Sequence, residues 1–418
     1  MTHDPREYEC IVFGATGYTG KYTAEHVVKQ LPTDFKWAIA GRSESKLRTL
    51  AEDLRVLDPN RTAPAIEVAQ LDETALLTLA QKTKVLVSTV GPYHKYGSKV
   101  FKACAETGTH YLDVTGEVPW VHEMIQKYHH IAQGSGAIMI PQNGVESAPA
   151  DLLCWMLASH IRNNQGVGTA EIVYTTHRIK ASASGGTLAT VLTLFDTYSL
   201  ADVAKTQNPW CICPVQAPSK LPSRPALERW TGHRNVPDLG HLTDSIQGPA
   251  DMPIVHRSWG LYEKGRLYGP NFRMNAYMTA ANALTSFGFH LAFTAGMIAL
   301  MLPPVRWLLQ KLVYQAGDGP EREKSKSDFV EWRAIANADV ADSGPPRRVF
   351  GKMRYEGSLY DLTGLCLATS ALVLAREESY ANELGGGVLT PATLGSQYLE
   401  KLQKGGLKFE MLDLQETR

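Results

Sequence analysis

Apolar and mixed stretches alternate along the first third of the chain. Mostly apolar runs stand at residues 10–13, 36–40, 65–69, 84–90, 110–114 and 137–140. Helical patterns separate them, beginning near Gly17, after Asp72, at Gly97 and at Trp120. A run that is apolar at nearly every position fits a strand covered on both faces, and alternation of such strands with helices is typical of a parallel sheet. We therefore predict an α/β fold with a doubly wound parallel sheet.

The pattern changes after Pro141. It predicts helices at 149–160, 362–375 and 393–404, and strands at 170–180, 348–355 and 408–412. Residues 205–257 show no clear period and are predicted to be loop with short elements. The charged residues 318–328 are predicted to form an exposed linker or hairpin tip. Because 418 residues exceed one ordinary core, we expect two or three packed units.

One segment departs from the composition of most soluble domains. Residues 274–305 contain no Asp, Glu, Lys or Arg, and His290 is the only ionisable side chain in the strongly apolar stretch 284–302. About 20 apolar residues span a hydrocarbon core, so the segment is long enough. An exposed apolar run of this length normally has a partner. A membrane or lipid-droplet surface, a homodimer interface and a lid over an apolar substrate all stay open.

A glycine-rich turn lies between the first predicted strand and the first predicted helix. Its spacing, GxxGxxG over residues 14–20, is a variant of the GxGxxG pattern, and it stands in the strand–turn–helix context that this pattern needs. Glycines let the backbone approach a diphosphate, to which the helix start offers N–H groups and a positive dipole end. The predicted cofactor contacts are Gly14, Thr16, Gly17, Tyr18, Thr19 and Gly20.

The end of the second predicted strand bears on which dinucleotide is bound. An NAD site presents Asp or Glu to the ribose hydroxyls there, whereas this chain presents Arg42 and Ser43, with Lys46 one turn further on. A guanidinium and a hydroxyl suit a 2′-phosphate. We therefore predict that these three residues select NADP(H), with a solvated Arg at a helix start as the plainer alternative.

Three further segments follow strands at the edge where doubly wound sheets bind ligands. The first segment follows the fourth predicted strand, and its residues Val90, Gly91, Pro92 and Tyr93 are predicted to form a wall of the cofactor site. The other two are 113–117 and 143–151. The catalytic candidates are Tyr93, which can polarise a carbonyl, and Glu146, which can act as a general acid. The structural alternatives are packing for Tyr93 and a turn or cap for Glu146.

Substrate contacts are predicted at the same edge and at a second glycine-rich helix start. Residues 184–187 precede a periodic apolar run, where exposed N–H groups could meet a carbonyl or carboxylate; plain capping is the alternative. The predicted substrate-binding residues are Tyr96, Glu117, Ser184, Gly185, Gly186 and Thr187.

Composition narrows the class of partner. Hydrophobic residues at 44% and charged residues at 20% describe a folded protein, and 42 basic residues balance 42 acidic ones, so we expect no nucleic-acid partner. Six cysteines show neither zinc spacing nor a disulfide framework, and His129-His130 has no ligand neighbour, so no metal is expected. The polar N-terminus does not resemble a signal peptide, so cytoplasmic surroundings are expected.

Six stretches together resemble the saccharopine dehydrogenase-like oxidoreductase family, and within it the trans-acting enoyl reductase branch. They are Gly-Ala-Thr-Gly-Tyr-Thr-Gly at 14–20, Ala-Gly-Arg at 40–42, Val-Gly-Pro-Tyr-x-x-Tyr-Gly at 90–97, Tyr-x-Asp-x-Thr-Gly-Glu at 111–117, Ser-Gly-Gly-Thr at 184–187 and Gly-Gly-Val-Leu-Thr-Pro-Ala at 386–392. The resemblance implies an NADP-binding Rossmann domain over 1–145, an inserted α+β substrate or dimerisation domain over 146–357, and a C-terminal segment, 358–418, that returns to the first domain. It also implies that the apolar residues 284–302 contact lipid.

The chain departs from this family pattern in two places. The usual Gly-Phe-Asp-Ser-x-Pro-x-Asp has Val145 and Glu146 in place of Phe and Asp, and residues 357–361 replace a small, glycine-rich helix start. Our leading hypothesis is NADPH-dependent reduction of an apolar α,β-unsaturated acyl or polyketide-like substrate, in which the cofactor supplies the hydride chemistry. One alternative is a saccharopine-type amino-acid oxidoreductase, for which residues 177–180 are the only compact basic cluster. The other is a non-catalytic NADP-binding protein at a lipid surface.

Overall fold

The computed structural model describes residues 6–181, 192–218, 224–312, 322–325, 327–340 and 347–414. Within them, strands β1 to β14 are Tyr8–Phe13, Trp37–Gly41, Ala65–Val68, Thr83–Ser88, His110–Asp113, Ile138–Ile140, Gly168–Lys180, Arg234–Val236, Gly240–Asp244, Arg273–Thr279, Phe329–Asp339, Arg348–Glu356, Gly387–Val388 and Lys408–Leu414. Helices α1 to α15 are Tyr18–Gln30, Glu44–Leu57, Glu73–Gln81, Tyr93–Thr107, Val118–Ser135, Ala148–Gln165, Leu200–Thr206, Ala226–Thr231, Gly248–Leu261, Ala283–Leu300, Pro303–Leu312, Arg322–Ser325, Leu359–Arg376, Tyr380–Glu383 and Gly395–Lys404.

The chain forms two compact units, and the first contains the predicted parallel sheet. This unit comprises residues up to Ala148 together with Leu359–Gly406. Its strand order is β13-β6-β5-β4-β1-β2-β3, with every pairing parallel. The order reverses direction between β1 and β4, which is where doubly wound sheets bind ligands. The predicted Rossmann-type α/β fold is therefore confirmed.

Local sequence explains the elements of this unit. Strands β1, β2 and β4 are buried along most of their length, as apolar strands covered on both faces must be. Ser43 and Asp72 cap α2 and α3 by accepting from backbone N–H groups, and α4 and α5 end at Gly108 and Gly136, which have positive φ. Helix α13 packs so closely on α1 that a Cβ on Gly364 would stand 2.7 Å from a backbone carbon of α1.

The second unit contains a mixed sheet. It comprises Pro149–Ala316, Pro320–Ser358 and the residues from Leu407 onward. The order is β14-β12-β11-β7-β10-β9-β8, with β7 and β10 parallel and the other pairs antiparallel. Helix α6 lies against β12, where Gly351 leaves room for Leu153 and Leu157. The last strand, which the resemblance places with the first domain, pairs with β12 in this second sheet instead.

Within the described ranges of the chain, two helices are long and apolar enough to cross a membrane by length and composition. One is α13, which is mostly buried in the first unit and therefore serves as a core helix. The other is α10, in the apolar segment singled out above. Its N-terminal half is fixed by Ser286, whose Oγ donates to Leu242 O at 2.9 Å, but most of its apolar side chains are exposed.

Candidate active site

The turn between β1 and α1 holds the first group of candidate residues. Gly14 has a φ of 84°, which favours glycine, and its N–H donates to Ala40 O at 2.9 Å. Gly17 N donates to Gly14 O at 2.9 Å and closes the turn. Helix α1 then begins at Tyr18 with no acidic residue in its first turn. Its first N–H groups therefore offer a favourable place to an anion.

The packing of this turn requires its glycines. A Cβ on Gly14 would stand 2.7 Å from Val90 Cγ2, and a Cβ on Gly20 would stand 2.3 Å from Gly14 O. A Cβ on Gly17 would lie 3.2 Å from the same oxygen. Bare backbone is what a diphosphate needs for close approach. The residues of the turn therefore fit a dinucleotide cofactor.

Two cations follow β2, where the ribose of such a cofactor lies. Arg42 and Lys46 are exposed, and neither side chain forms a hydrogen bond or ion pair with another residue that the structure describes. Ser43 is half-buried, and its Oγ accepts from Lys46 N at 3.5 Å. Glu44, the acidic residue in the first turn of α2, is paired with Arg48 at 2.5 Å. Two cations without a protein partner suit a 2′-phosphate.

The loop after β4 ends beside this turn. Thr89 N and Oγ1 donate to Phe13 O at 2.9 and 3.0 Å, which ties the end of β4 to the end of β1. Val90 and Pro92 are half-buried, and Gly91 is exposed. The peptide bond between Gly91 and Pro92 is cis. This short loop is the predicted wall of the cofactor site. Helix α4 follows it directly, so it begins earlier than the sequence pattern indicated.

The carboxylate of Glu117 fixes the start of α4. Pro92 at the N-cap has no side chain that accepts a hydrogen bond. Instead, Glu117 Oε1 accepts from Tyr93 N and Oε2 from His94 N, both at 2.8 Å. His94 Nδ1 lies 2.6 Å from Oε2, and both side chains are buried. Glu117 was predicted to bind substrate, but its oxygens are committed to the helix start, which favours a positioning role.

Tyr93 is buried and bonded on both sides of its hydroxyl. The hydroxyl donates to Ser88 O at 3.0 Å and accepts from Val114 N at 3.4 Å. Burial, with the charges of Asp113 and Glu117 adding to it, raises the pKa of this phenol well above its usual range. The side chain therefore joins the ends of β4 and β5. Proton donation from Tyr93 to a substrate would require both bonds to break.

A buried carboxyl joins β5 to the loop after β6. Asp113 Oδ1 accepts from Thr115 N at 2.9 Å and from Gln142 N at 3.0 Å, and Oδ2 accepts from Tyr111 OH at 2.8 Å. Burial raises the pKa of Asp113 to about 7. Gln142 and Ser147 have φ values of 57° and 86°, in the left-handed region. Non-glycine residues held there cluster at functional sites.

Residues far along the chain hold the same loop. Asn143 Nδ2 donates to Ser370 Oγ at 2.6 Å, and Asn143 Oδ1 accepts from Tyr398 OH at 3.0 Å. Val145 N donates to Thr363 Oγ1 at 3.3 Å. These three partners, on α13 and α15, were not among the predicted site residues, because they lie more than two hundred residues beyond the loop and no local pattern connects them to it.

Glu146 is the carboxyl in the loop after β6, and its surroundings differ from those of Asp113 and Glu117. It is half-buried and lies against Gly116, where a Cβ would stand 2.1 Å from Glu146 Oε2. Burial raises its pKa, and the nearby Glu117 carboxylate adds to that rise. Among the described residues it has no hydrogen-bond or ion-pair partner. A carboxyl that keeps its proton to a higher pH than an ordinary Glu can act as a general acid.

The remaining candidates are more scattered. Tyr96 is 45% exposed in the first turn of α4, and Ser184 to Thr187 lie outside the described residues. Thr16, Tyr18 and Thr19 are half-buried. The Tyr18 ring packs edge-on against Tyr360, one of the residues that depart from the family pattern, with centroids 4.8 Å apart. The described part of the chain has no group of three or more His, Cys, Asp or Glu that could hold a metal ion.

This geometry defines a class of enzyme, and comparison with known proteins agrees with it. The family model described as "Saccharopine dehydrogenase NADP binding domain" matches residues 10–140. The protein is therefore an NADP-dependent oxidoreductase with a Rossmann-type cofactor domain, acting on a small-molecule substrate, and the prediction of NADP(H) is confirmed.

Full-length relatives identify the family. A trans-acting enoyl reductase of Mycobacterium tuberculosis is 30% identical over 427 residues, covering 97% of this chain and 98% of its own. One of Mycobacterium leprae is 29% identical over 434 residues, with the same two coverages. The chain belongs to the saccharopine dehydrogenase-like oxidoreductase family, alongside these reductases. In fold it is similar to saccharopine dehydrogenase (L-Glu forming) of Saccharomyces cerevisiae, with a TM-score of 0.55, 11% identity, and coverage of 96% of this chain and 99% of the other.

Proposed function

We propose that the protein reduces the carbon–carbon double bond of an apolar α,β-unsaturated acyl or polyketide-like substrate with NADPH. Its similarity to trans-acting enoyl reductases over nearly the whole chain supports this substrate class. The structural observation that carries the proposal is Glu146, a half-buried carboxyl of raised pKa at the ligand-binding edge of the sheet. Reduction of an enoyl group needs such an acid besides the hydride donor.

Different residues of the chain hold the cofactor and donate the proton. The turn from Gly14 to Gly20 holds the diphosphate, and Arg42 and Lys46 hold the 2′-phosphate. NADPH, when bound, supplies a hydride to the β-carbon of the substrate. The carboxyl of Glu146 gives its proton to the α-carbon, which receives the electron pair of the broken double bond, and the carboxylate then regains a proton from solvent. The reaction consumes one NADPH and one proton for each double bond.

Two of the buried candidates act through position. Glu117 holds the start of α4, and Tyr93 ties that start to the ends of β4 and β5. Together they fix the loop from Val90 to Pro92 against the cofactor. Tyr96, exposed in the first turn of α4, and residues 184–187 stay the proposed substrate contacts.

Turnover with a panel of substrates tests the proposal. The full-length protein is incubated with NADPH and either enoyl thioesters of increasing chain length or a 2-oxoacid with an amino acid, and nicotinamide absorbance is followed. We expect consumption with enoyl thioesters only, and at least a hundredfold lower kcat for Glu146→Gln. Glu123→Gln, an exposed carboxylate paired with Lys127, is the matched control. NADPH consumption with the 2-oxoacid and amino acid but with no enoyl thioester would contradict the proposal. Tight NADPH binding without turnover of any substrate would contradict it as well.

One observation disfavours the amino-acid alternative. A substrate with several carboxylates needs several cations. In the cluster at the end of β7, Lys180 Nζ already donates to Ser327 Oγ at 2.8 Å, and burial, with the charge of Arg333, lowers the pKa of His177. This cluster therefore offers fewer cationic donors than its sequence indicates.

We also propose that α10 and α11 contact an anionic bilayer surface. Helix α10 is apolar around its whole circumference, and Leu284, Leu291 and Ile298 are exposed. Helix α11 adds Trp307 and two cations, while residues 283–312 contain no Asp or Glu. An apolar helix followed by a basic, tryptophan-containing amphipathic helix is typical of segments that lie in a membrane interface.

Vesicle sedimentation separates this contact from a homodimer. The variant Leu291→Asp/Ile298→Asp should lose binding to vesicles containing phosphatidylglycerol, whereas Val56→Asp, at an exposed apolar position of α2, should not. In solution without lipid, both variants should sediment as the wild type does. If the double variant instead converts a wild-type dimer to monomer, α10 is a dimer interface and the bilayer proposal is wrong.

A further inference from the structure

A cavity of about 300 Å³ opens on one face of the second unit's sheet, next to α8. Strand β10 contributes Arg273 and Asn275, and β7 contributes Glu171, which pairs with Arg273 in parallel register. Arg234 on β8, Arg224 just before α8 and Glu228 on α8 complete its charged lining. Three guanidinium groups therefore converge on one small space.

Glu171 neutralises part of this charge. Arg234 Nη1 and Nη2 donate to its two oxygens at 2.8 and 2.9 Å, and Asn275 Nδ2 donates to Oε1 at 2.7 Å. Arg273 Nε lies 3.4 Å from the same oxygen. Burial opposes ionisation of this carboxyl, but the hydrogen bonds and the charges of Arg234 and Arg273 outweigh it and keep the pKa of Glu171 below its usual range. This part of the lining is a fixed ionic framework.

Arg224 is bonded much less completely. Its Nε donates to Asn275 Oδ1 at 3.1 Å and lies 3.7 Å from Glu228 Oε1, whose hydrogen bond comes from Tyr277 OH at 2.5 Å. Neither terminal nitrogen of Arg224 has a hydrogen-bond partner among the described residues. Three guanidinium groups against two carboxylates leave one net positive charge, and the Arg224 fork is the part of it that can meet a ligand.

The surroundings of the cavity indicate what kind of anion would bind. On α8, Leu227 at the cavity rim and Trp230 are 75% and 79% exposed. Helix α8 leads into Gly232, where a Cβ would stand 2.6 Å from the His290 side chain of α10. The cationic cavity therefore adjoins exposed apolar side chains of α8, a helix whose C-terminal end contacts α10 at His290. A ligand that matches both has an anionic head and an apolar body.

We propose that this cavity binds the phosphate ester headgroup of a membrane phospholipid. The Arg224 fork takes two phosphate oxygens, Arg273 and Arg234 add charge from the framework, and the apolar part of the lipid lies against Leu227 and Trp230. This inference rests on the proposed bilayer contact of α10 and α11, and it is independent of the proposed reduction. It adds headgroup selectivity to a contact that would otherwise depend on apolar area and general charge.

The test measures binding of the full-length protein to two kinds of vesicle, phosphatidylcholine alone and phosphatidylcholine with phosphatidylglycerol. Removing one cation near an anionic surface weakens binding about fivefold through general electrostatics. Arg229→Gln, an exposed cation on α8 outside the cavity, measures that general effect. Arg224→Gln should exceed it, weakening binding to the anionic vesicles at least tenfold beyond the control variant. Arg224→Lys, which keeps the charge but loses the fork, should fall between them.

Further arms of the experiment identify the source of the phosphate and exclude misfolding. Thermal melting and NADPH affinity should be the same for all variants, and Arg224→Lys keeps the test usable if Arg224→Gln melts early. Inorganic phosphate and a short-chain, soluble phosphatidylglycerol are titrated separately. Tighter binding of the soluble lipid, lost in Arg224→Gln, supports the proposal. Equal affinity for both probes would mark a free-phosphate site and overturn it.

Two outcomes distinguish failure of this inference from failure of the bilayer contact. If wild-type protein binds anionic vesicles and Arg224→Gln loses no more than Arg229→Gln, the headgroup site is wrong and the bilayer contact stands. If wild-type protein binds neither kind of vesicle, the bilayer contact is wrong and the headgroup site fails with it.

Discussion

Removing the guanidinium of Arg42 should convert an NADPH-selective protein into one that barely distinguishes NADPH from NADH. The side chain is exposed at the end of β2 and has no partner among the described residues, so Arg42→Ala removes a ligand contact without breaking a bond within the fold. Ser43, which caps α2, is untouched. The substitution therefore tests cofactor recognition separately from stability.

The expected magnitude follows from the exposure of the site. A hydrogen bond to a charged group contributes about 1.5–3 kcal/mol. Because Arg42 is exposed, solvent and salt screen the pair, and we take the lower part of that range, about 1.5–2 kcal/mol. This corresponds to NADPH affinity about 10- to 30-fold weaker, since every 1.4 kcal/mol is roughly tenfold. NADH has no 2′-phosphate, so its affinity should change less than about twofold.

Isothermal titration of wild type and variant with both cofactors measures this difference. Arg48→Ala is the matched control, because Arg48 is exposed on α2, the helix that follows Arg42, and is already paired with Glu44. The control should leave both affinities unchanged, and the Arg42 effect should shrink as salt concentration rises. Equal weakening of NADPH and NADH binding in Arg42→Ala would refute the assignment of the 2′-phosphate to this end of β2.

Three further predictions concern the framework of the site. Gly20→Ala should lower Tm and weaken NADPH binding, because its Cβ would stand 2.3 Å from a backbone oxygen. The control Gly134→Ala, whose Cβ would meet no atom within 4 Å, should change neither quantity. Equal Tm values for the two variants would contradict the argument. Glu117→Gln should cost about 3 kcal/mol in urea unfolding, because an amide nitrogen would face the N–H donors of α4. A loss no larger than that of the exposed Glu123→Gln would contradict this positioning role. Folded Asp113 keeps its proton to about pH 7, whereas the unfolded residue keeps it only to about pH 4. The folded chain then holds more protons between these values, so stability should fall as pH rises, by as much as ~4 kcal/mol. Asp113→Asn should flatten that dependence in urea melts from pH 4 to pH 8, and parallel curves for the two proteins would contradict it.

The first unit could be predicted largely from sequence because its signals are local. Each parallel strand is a short apolar run, and the turn from Gly14 to Gly20 stands in the one context that gives it meaning. The seventh strand, β13, was missed because it has only two residues, Gly387 and Val388, and its pairing with β6 joins residues far apart in the chain.

The second unit was harder to predict from sequence, for a physical reason. Helix α9, Gly248–Leu261, begins inside the stretch 205–257 predicted as loop with short elements and runs past its end, and Pro253 in its interior obscures the helical signal. In the first unit, α4 begins earlier than the pattern indicated, because the acceptor for its first N–H groups comes from Glu117 instead of from a local cap. Long-range acceptors of this kind leave no trace in local spacing.

The candidate site likewise has some features that the sequence predicts and others that it does not. The cofactor contacts follow from glycine spacing and from the residue types after β2, both of which are local. The roles of Tyr93, Glu117 and Glu146 depend on burial and partners, which sequence does not show. Their residue types alone give three proton donors, whereas the structure leaves only Glu146 without a protein hydrogen-bond partner among the described residues.

The central claim is that hydride from NADPH reaches the β-carbon of an enoyl substrate at this edge of the sheet. The most direct measurement follows deuterium from NADPH labelled at C4 into the product of an enoyl thioester, by mass spectrometry and NMR. We expect one deuterium at the β-carbon and one solvent-derived hydrogen at the α-carbon. Tight cofactor binding with no label in any enoyl thioester, or label in an amino-acid product, would contradict the account.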